Sequence, residues 1–165
     1  MNSISSDIKV LSVKADEWDI VYPMWEHLIC ELPSYHFNPF GKPLLDEQRV
    51  HLKSTLQGCL AKDEAEVCVA VNKNNEICGT IAVIQNTQRG YDQPESGVLF
   101  NLWVNPLMRR HQIGTALVKY AKEWLLAQGA TSVQVGWHPD NSIAASFWLK
   151  QGFRQYECIA ATFLN

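Results

Sequence analysis

Residues 98–137 restrict the fold more than any other stretch of the chain. Val98 to Val104 is a strongly apolar run closed by Pro106, which cannot donate to a strand ladder. Ile113, Leu117, Tyr120, Ala121 and Trp124 then recur at helical spacing, and Gly129 stands where a helix commonly ends. Ser132 to Trp137 reads as another strand. A strand-helix-strand crossover within one sheet makes its two strands parallel. The chain therefore needs a sheet that is at least partly parallel and carries helical cover.

The flanking sequence supplies the rest of that sheet. Ile8 to Val13 alternates like a half-buried strand, and Asp16 and Asp19 offer caps for a helix with Trp18, Val21, Tyr22, Trp25, Leu28, Ile29 and Leu32 on one face. Proline is tolerated only in early helical turns, so Pro23 places the regular part at about Asp19 to Glu31, and Pro33 ends it. An aromatic and proline-rich loop comes next, with Tyr35, His36, Phe37, Phe40 and Gly41. Leu45, Leu52, Leu56 and Leu60 then mark a second helix closing near Lys62.

Val67 to Val71 and Ile77 to Ile84 flank Asn72 to Glu76, whose polar residues suit the turn of an antiparallel hairpin. Asn141 opens a last helix through Lys150, Gly152 caps it, and Tyr156 to Leu164 is expected to be a final strand. This order predicts an α/β fold, a mixed, mostly antiparallel central sheet with helices on both faces, in one domain covering residues 1–165.

Composition narrows the partners. A net charge of -3 gives no basic footprint for nucleic acid or an anionic membrane surface, although a mildly acidic protein suits a cationic small molecule. No apolar run is long enough to span a membrane, and Met1 to Val10 has no apolar run behind a positive cluster, so no export signal is expected. The cysteines, Cys30, Cys59, Cys68, Cys78 and Cys158, are odd in number and lack the close pairs of zinc sites or disulfide frameworks. They read as reduced thiols of a cytoplasmic protein without a metal site.

Between the apolar strand ending at Val104 and the helix through Leu117 lies Arg109-Arg110-His111-Gln112-Ile113-Gly114-Thr115. The start of a helix there presents free backbone N–H groups and the positive end of the helix dipole. Gly114 allows an oxygen to approach the backbone, Thr115 can donate a hydroxyl, and Arg109 and Arg110 can flank a charge. Such a segment suits a phosphorylated ligand. The same residues alone would also suit solvated charges and a packing glycine.

Two blocks decide between those readings. Leu102-x-Val104-x-Pro106-x-x-Arg109-x-x-x-x-Gly114 resembles the acetyl-coenzyme A signature of the GNAT acetyltransferase superfamily. Asn141-x-x-Ala144-x-x-Phe147-Trp148-x-Lys150-x-Gly152-Phe153 resembles that family's C-terminal motif. The resemblance implies a GNAT-like fold, acetyl-coenzyme A as co-substrate, and acetyl transfer to an amine in a ternary complex. It also implies coenzyme contacts from Arg109, Arg110, His111, Gln112, Ile113, Gly114 and Thr115, with Asn141 and Trp148 from the second block. The pantetheine arm would pair, strand-like, with Leu102, Trp103 and Val104. Gln112 stands where the family's usual motif has a glycine, and so adds a side chain and restricts φ.

Acetyl transfer needs a polarised thioester carbonyl and an amine that has lost its proton. Glu95 and His138 compete for the role of base, one before a strand and one after the next. Many family members carry a tyrosine acid at the position of Trp148, and an indole cannot serve as an acid at neutral pH. Tyr156 is the candidate to replace it.

The acceptor pocket, by the same resemblance, is built by the first two helices and their loop, where Trp25, Tyr35, His36, Phe37 and Phe40 fall. Glu26 and Glu31 would offer countercharge to an amine. Asp92 with Glu95 is the only other local acidic cluster, which points to a small mono-amine rather than a polyamine. An acyl-coenzyme A-binding sensor with little turnover is the rival function. A final strand near Phe163 with an exposed edge would permit a homodimer.

Overall fold

The computed structural model describes residues 8–31, 40 and 44–162. Strand β1 is Lys9–Ser12, helix α1 Trp18–Glu31, helix α2 Leu45–Leu60, and strands β2, β3 and β4 are Ala65–Val71, Ile77–Thr87 and Glu95–Val104. Helix α3 is Ile113–Ala127, strand β5 Ser132–Val135 and helix α4 Ser142–Lys150. The strands form one five-stranded sheet in the order β1-β2-β3-β4-β5. The first four are antiparallel neighbours, and β5 lies parallel to β4, as the crossover through α3 requires.

Local chemistry sets the turns. Asn72 Oδ1 accepts from the N–H groups of Asn74 and Glu76 at 2.9 Å each, which closes the hairpin between β2 and β3. Gly129, at φ +84, ends α3 with the Ala130 N–H bonded back to the Leu125 carbonyl. At the start of α1 the expected Asp16 and Asp19 caps make no cap bond. Glu17 acts instead, its carboxylate accepting from the Lys14 N–H at 3.0 Å. Pro23 falls inside α1, which begins at Trp18 directly after a 3-10 turn.

Each face of the sheet has its own core. Trp25, Val21, Leu52 and Leu56 of α1 and α2 pack on Val67, Val69, Ala82 and Trp103. Leu117, Val118, Ala121 and Leu125 of α3, with Trp148 of α4, pack on Cys68, Ala70, Ile81, Val83 and Leu99. Helices on both faces are thus observed.

β4 is irregular in its second half. Thr80 pairs with Trp103 and Ala82 with Phe100, so Asn101 and Leu102 together face Ile81 in a β-bulge, with Asn101 at φ +51. The extra residue inverts the side-chain alternation. Leu99 packs on α3, and beyond the bulge so do Leu102 and Val104, while Phe100 and Trp103 both face α1.

The final strand expected at Tyr156–Leu164 is a correction. Residues 153–162 form no strand, and residues 163–165 lie outside the described residues. The Phe153 N–H donates to the Trp148 carbonyl, closing α4 beside Gly152 at φ +87. Alternating apolar residues made the segment look like a strand, but β5 is only four residues long and residues 153–162 add no strand beside it.

Candidate active site

The segment after β4 is wound by its own side chains. Asn105 Oδ1 accepts from the Leu107 N–H at 3.1 Å and starts a short 3-10 turn, Pro106–Met108. Arg109 turns back, its Nε donating to the Val104 carbonyl at 3.0 Å and its Nη2 lying 3.8 Å from Glu31 Oε1 of α1. His111 Nδ1 sits 3.2 Å from the Met108 carbonyl. Arg110 and Gln112 then adopt left-handed conformations, at φ +69 and +61.

The consequence is a concave row of donors. The first backbone bond of α3 is from the Ala116 N–H to the Gln112 carbonyl. The N–H groups from Arg110 to Thr115 find no acceptor among the described residues. Left-handed residues alternating with others turn successive N–H groups toward one point, a nest that takes an anion. The helix dipole adds positive potential there, and α3 has no acidic residue in its first turn to oppose it.

Gly114 is tight rather than open. A Cβ on it would lie 3.1 Å from the Phe147 ring of α4. Thr115 Oγ1 accepts from Gln151 Nε2 at 3.1 Å, which leaves its own proton to donate. Asn141 Oδ1 caps α4 through the Ala144 N–H at 2.9 Å, and Ile113 is buried as the anchor of α3. The donor set fits a diphosphate.

Beside the nest, the sheet opens. β5 pairs with β4 only from Ser96 to Leu99, so among the described residues Phe100 to Val104 are paired to β3 alone. One edge of that half-strand, which includes Leu102, Trp103 and Val104, is available to an extended arm.

The remaining sequence candidates are scattered. Glu95 begins β4, about 30 Å from Val104 at ~3.3 Å per residue, and its carboxylate accepts from Thr87 Oγ1 and Gln85 Nε2. His138 follows β5, and its Nδ1 accepts the Asp140 N–H at 3.2 Å. Tyr156 is 74% exposed and lies outside the sheet. Trp148 is buried edge-on between Phe147 and Phe153. The structure does not bring these four together.

On the α1 side, Glu26 is bonded to Arg49 Nε at 2.6 Å, and Glu31 pairs with Arg109. Trp25 packs edge-on against Phe100. Tyr35, His36 and Phe37 lie outside the described residues, and Phe40 is 92% exposed. The reading from sequence missed His27, whose ring stacks on Trp103 with centroids 5.4 Å apart and planes within 9°. Strict alternation along β4 hides that contact, because only the bulge turns Trp103 to the α1 face.

Comparison with known proteins agrees with this geometry. Residues 22–153 match the model of the Acetyltransferase (GNAT) family, and the chain belongs to that family. Among solved structures, it is similar to a GCN5-related N-acetyltransferase from Ralstonia eutropha, with a TM-score of 0.75 at 15% identity over 94% of this chain and 98% of that one. Aminoglycoside N-acetyltransferase AAC(6')-Iy, solved with a bisubstrate analogue of CoA, gives a TM-score of 0.70 at 16% identity over 97% and 99%. Glucosamine-6-phosphate N-acetyltransferase from Arabidopsis thaliana gives 0.66 at 14% identity over 96% and 99%. No curated protein matches the sequence.

Proposed function

We propose that this chain, as one domain in the cytoplasm, transfers the acetyl group of acetyl-CoA to the primary amine of a small molecule by direct attack in a ternary complex. The observation that carries the reading is the row of unpaired N–H groups from Arg110 to Thr115 beside the open half of β4. A diphosphate in that nest leaves the pantetheine arm beside Leu102, Trp103 and Val104, where it extends the sheet. When bound, acetyl-CoA supplies a thioester carbonyl open to an amine. The chain holds that carbonyl against a β4 N–H, where the charge developing on oxygen is stabilised. The unpaired cysteines suit a reducing compartment.

Direct attack is supported by the three buried thiols, Cys30 and Cys158 being exposed. Burial pushes Cys59, Cys68 and Cys78 above the ordinary thiol range, so they are packing groups rather than acyl carriers. A small amine acceptor is supported by the aminoglycoside and glucosamine-6-phosphate named for the structural neighbours. The pairing of Glu26 and Glu31 with arginines leaves little countercharge for a polycation, which favours a mono-amine.

Trp148 favours a second reading, a CoA-binding domain without turnover, because a buried indole supplies no acid to the leaving sulfur. A thiol with a pKa of about 8.5 can nevertheless leave as thiolate and take its proton from water. A thiol-release assay with acetyl-CoA and a broad amine panel separates the two. Release with at least one amine is expected; micromolar CoA binding with no release across the panel would establish the second reading.

A further inference from the structure

We propose that His27 is the base that takes the proton from the acceptor's ammonium, an assignment that rests on the acetyl-transfer reading. His27 is exposed on α1, and neither ring nitrogen has a hydrogen-bond partner among the described residues. A neutral imidazole has one accepting nitrogen. In His138 that nitrogen is Nδ1, already turned to the Asp140 N–H. In His27 it is free.

Position supports the same choice. The His27 ring lies flat on Trp103, 5.4 Å between centroids, and Trp103 belongs to the half of β4 that has an open edge. The nest lies at the start of α3, which covers the opposite face. A coenzyme that enters from the nest and runs along the β4 edge therefore presents its thioester to an acceptor arriving from the α1 side. There His27, an exposed residue, is held one ring-stack from the strand. His51 of α2 is also exposed but has no such contact with β4.

Among the described residues, the carboxylates of α1 near His27 are paired. On α1, Glu31 pairs with Arg109 from the nest segment and Glu26 with Arg49 of α2, while Cys30 is an exposed thiol. β4 offers no titratable side chain between Phe100 and Val104. Imidazole is the side chain that exchanges protons near neutral pH.

Atoms and electrons balance across the step. An N–H bond of the ammonium breaks and its proton passes to the imidazole, which later releases it to water. The freed lone pair forms the C–N bond, the C–S bond breaks, and the sulfur leaves with that electron pair. A second proton, lost from nitrogen as the amide forms, ends on the thiolate. Ammonium and thioester become amide, thiol and one proton.

The test measures kcat/KM for thiol release against pH, in the full chain, with acetyl-CoA and the best amine of the panel. His27→Gln should lose about 100-fold and the acid limb of the profile, with CoA affinity unchanged, while His51→Gln leaves both intact. Activity within about threefold of the parent and a retained limb in His27→Gln would overturn the proposal alone. So would a limb lost in His138→Gln but kept in His27→Gln, or CoA affinity lost together with activity in His27→Gln. A parent chain that releases thiol with no amine overturns the acetyl-transfer reading and this assignment with it.

Discussion

The two halves of β4 are built from similar apolar residues, yet they serve different ends. From Ser96 to Leu99 the strand is paired on both sides, and Leu99 is 1% exposed against α3. From Phe100 to Val104 it is paired on one side, bulged at Asn101, and followed by a segment with left-handed Arg110 and Gln112. The first half carries stability. The second gives up a ladder and accepts strained backbone, and so keeps donors free for a ligand.

The largest test of that contrast is stability. Leu99→Ala should cost about 3 kcal/mol, a typical loss for a fully buried leucine. Leu102→Ala, on the same face but half-buried beside the open edge, should cost about 1 kcal/mol or less. Urea melts of both variants decide it, and equal losses would erase the distinction.

Next in size is binding. Gly114→Val puts branched carbons where a Cβ already meets the Phe147 ring at 3.1 Å and crowds the donor row. CoA affinity should fall at least tenfold, about 1.4 kcal/mol, by calorimetric titration. An unchanged Kd would remove the nest from the binding site.

Strain comes third. Gln112→Gly should stabilise the chain by about 1 kcal/mol, since glycine takes left-handed φ at no steric cost, and should tighten CoA binding. Arg110→Gly relieves the same kind of strain but removes a guanidinium. Its melting temperature should rise while its CoA affinity falls. If both variants move affinity in the same direction, the two left-handed positions do not have separate roles.

The smallest effect is expected away from β4. Burial, and then Glu66, pushes the Tyr120 hydroxyl up to about 12. Its pKa is raised above the ordinary 10.0, so its contribution is fully present below about pH 10 and is lost as the pH rises toward 12. Tyr120→Phe should flatten the fall in stability across that window, measured by urea melts at fixed pH steps.

Much of the frame is legible in the sequence. Periodicity places the helices and strands, because burying one face imposes a spacing of 3.6 or 2. The crossover fixes the parallel pair, and Arg109 to Thr115 point to the candidate anion site by their residue types. The base is not legible. Glu95 and His138 stand near the right strands in order, but order says nothing about whether a side chain is already engaged, as the Glu95 carboxylate is by Thr87 and Gln85 and His138 Nδ1 by the Asp140 N–H. Tyr156 belongs to an alternation that no neighbouring strand supports.

By itself, then, the sequence determined the order of elements up to α4 and the family, since those depend on local spacing and on residue types at the turns. Only the tertiary structure decided which side chains of β4 face α1. One extra residue at Asn101 inverts the alternation of β4, carries Trp103 to the α1 face and sets it under His27. A bulge is fixed by pairing with β3, a contact between residues far apart in the chain, and so it leaves no periodic trace in the sequence.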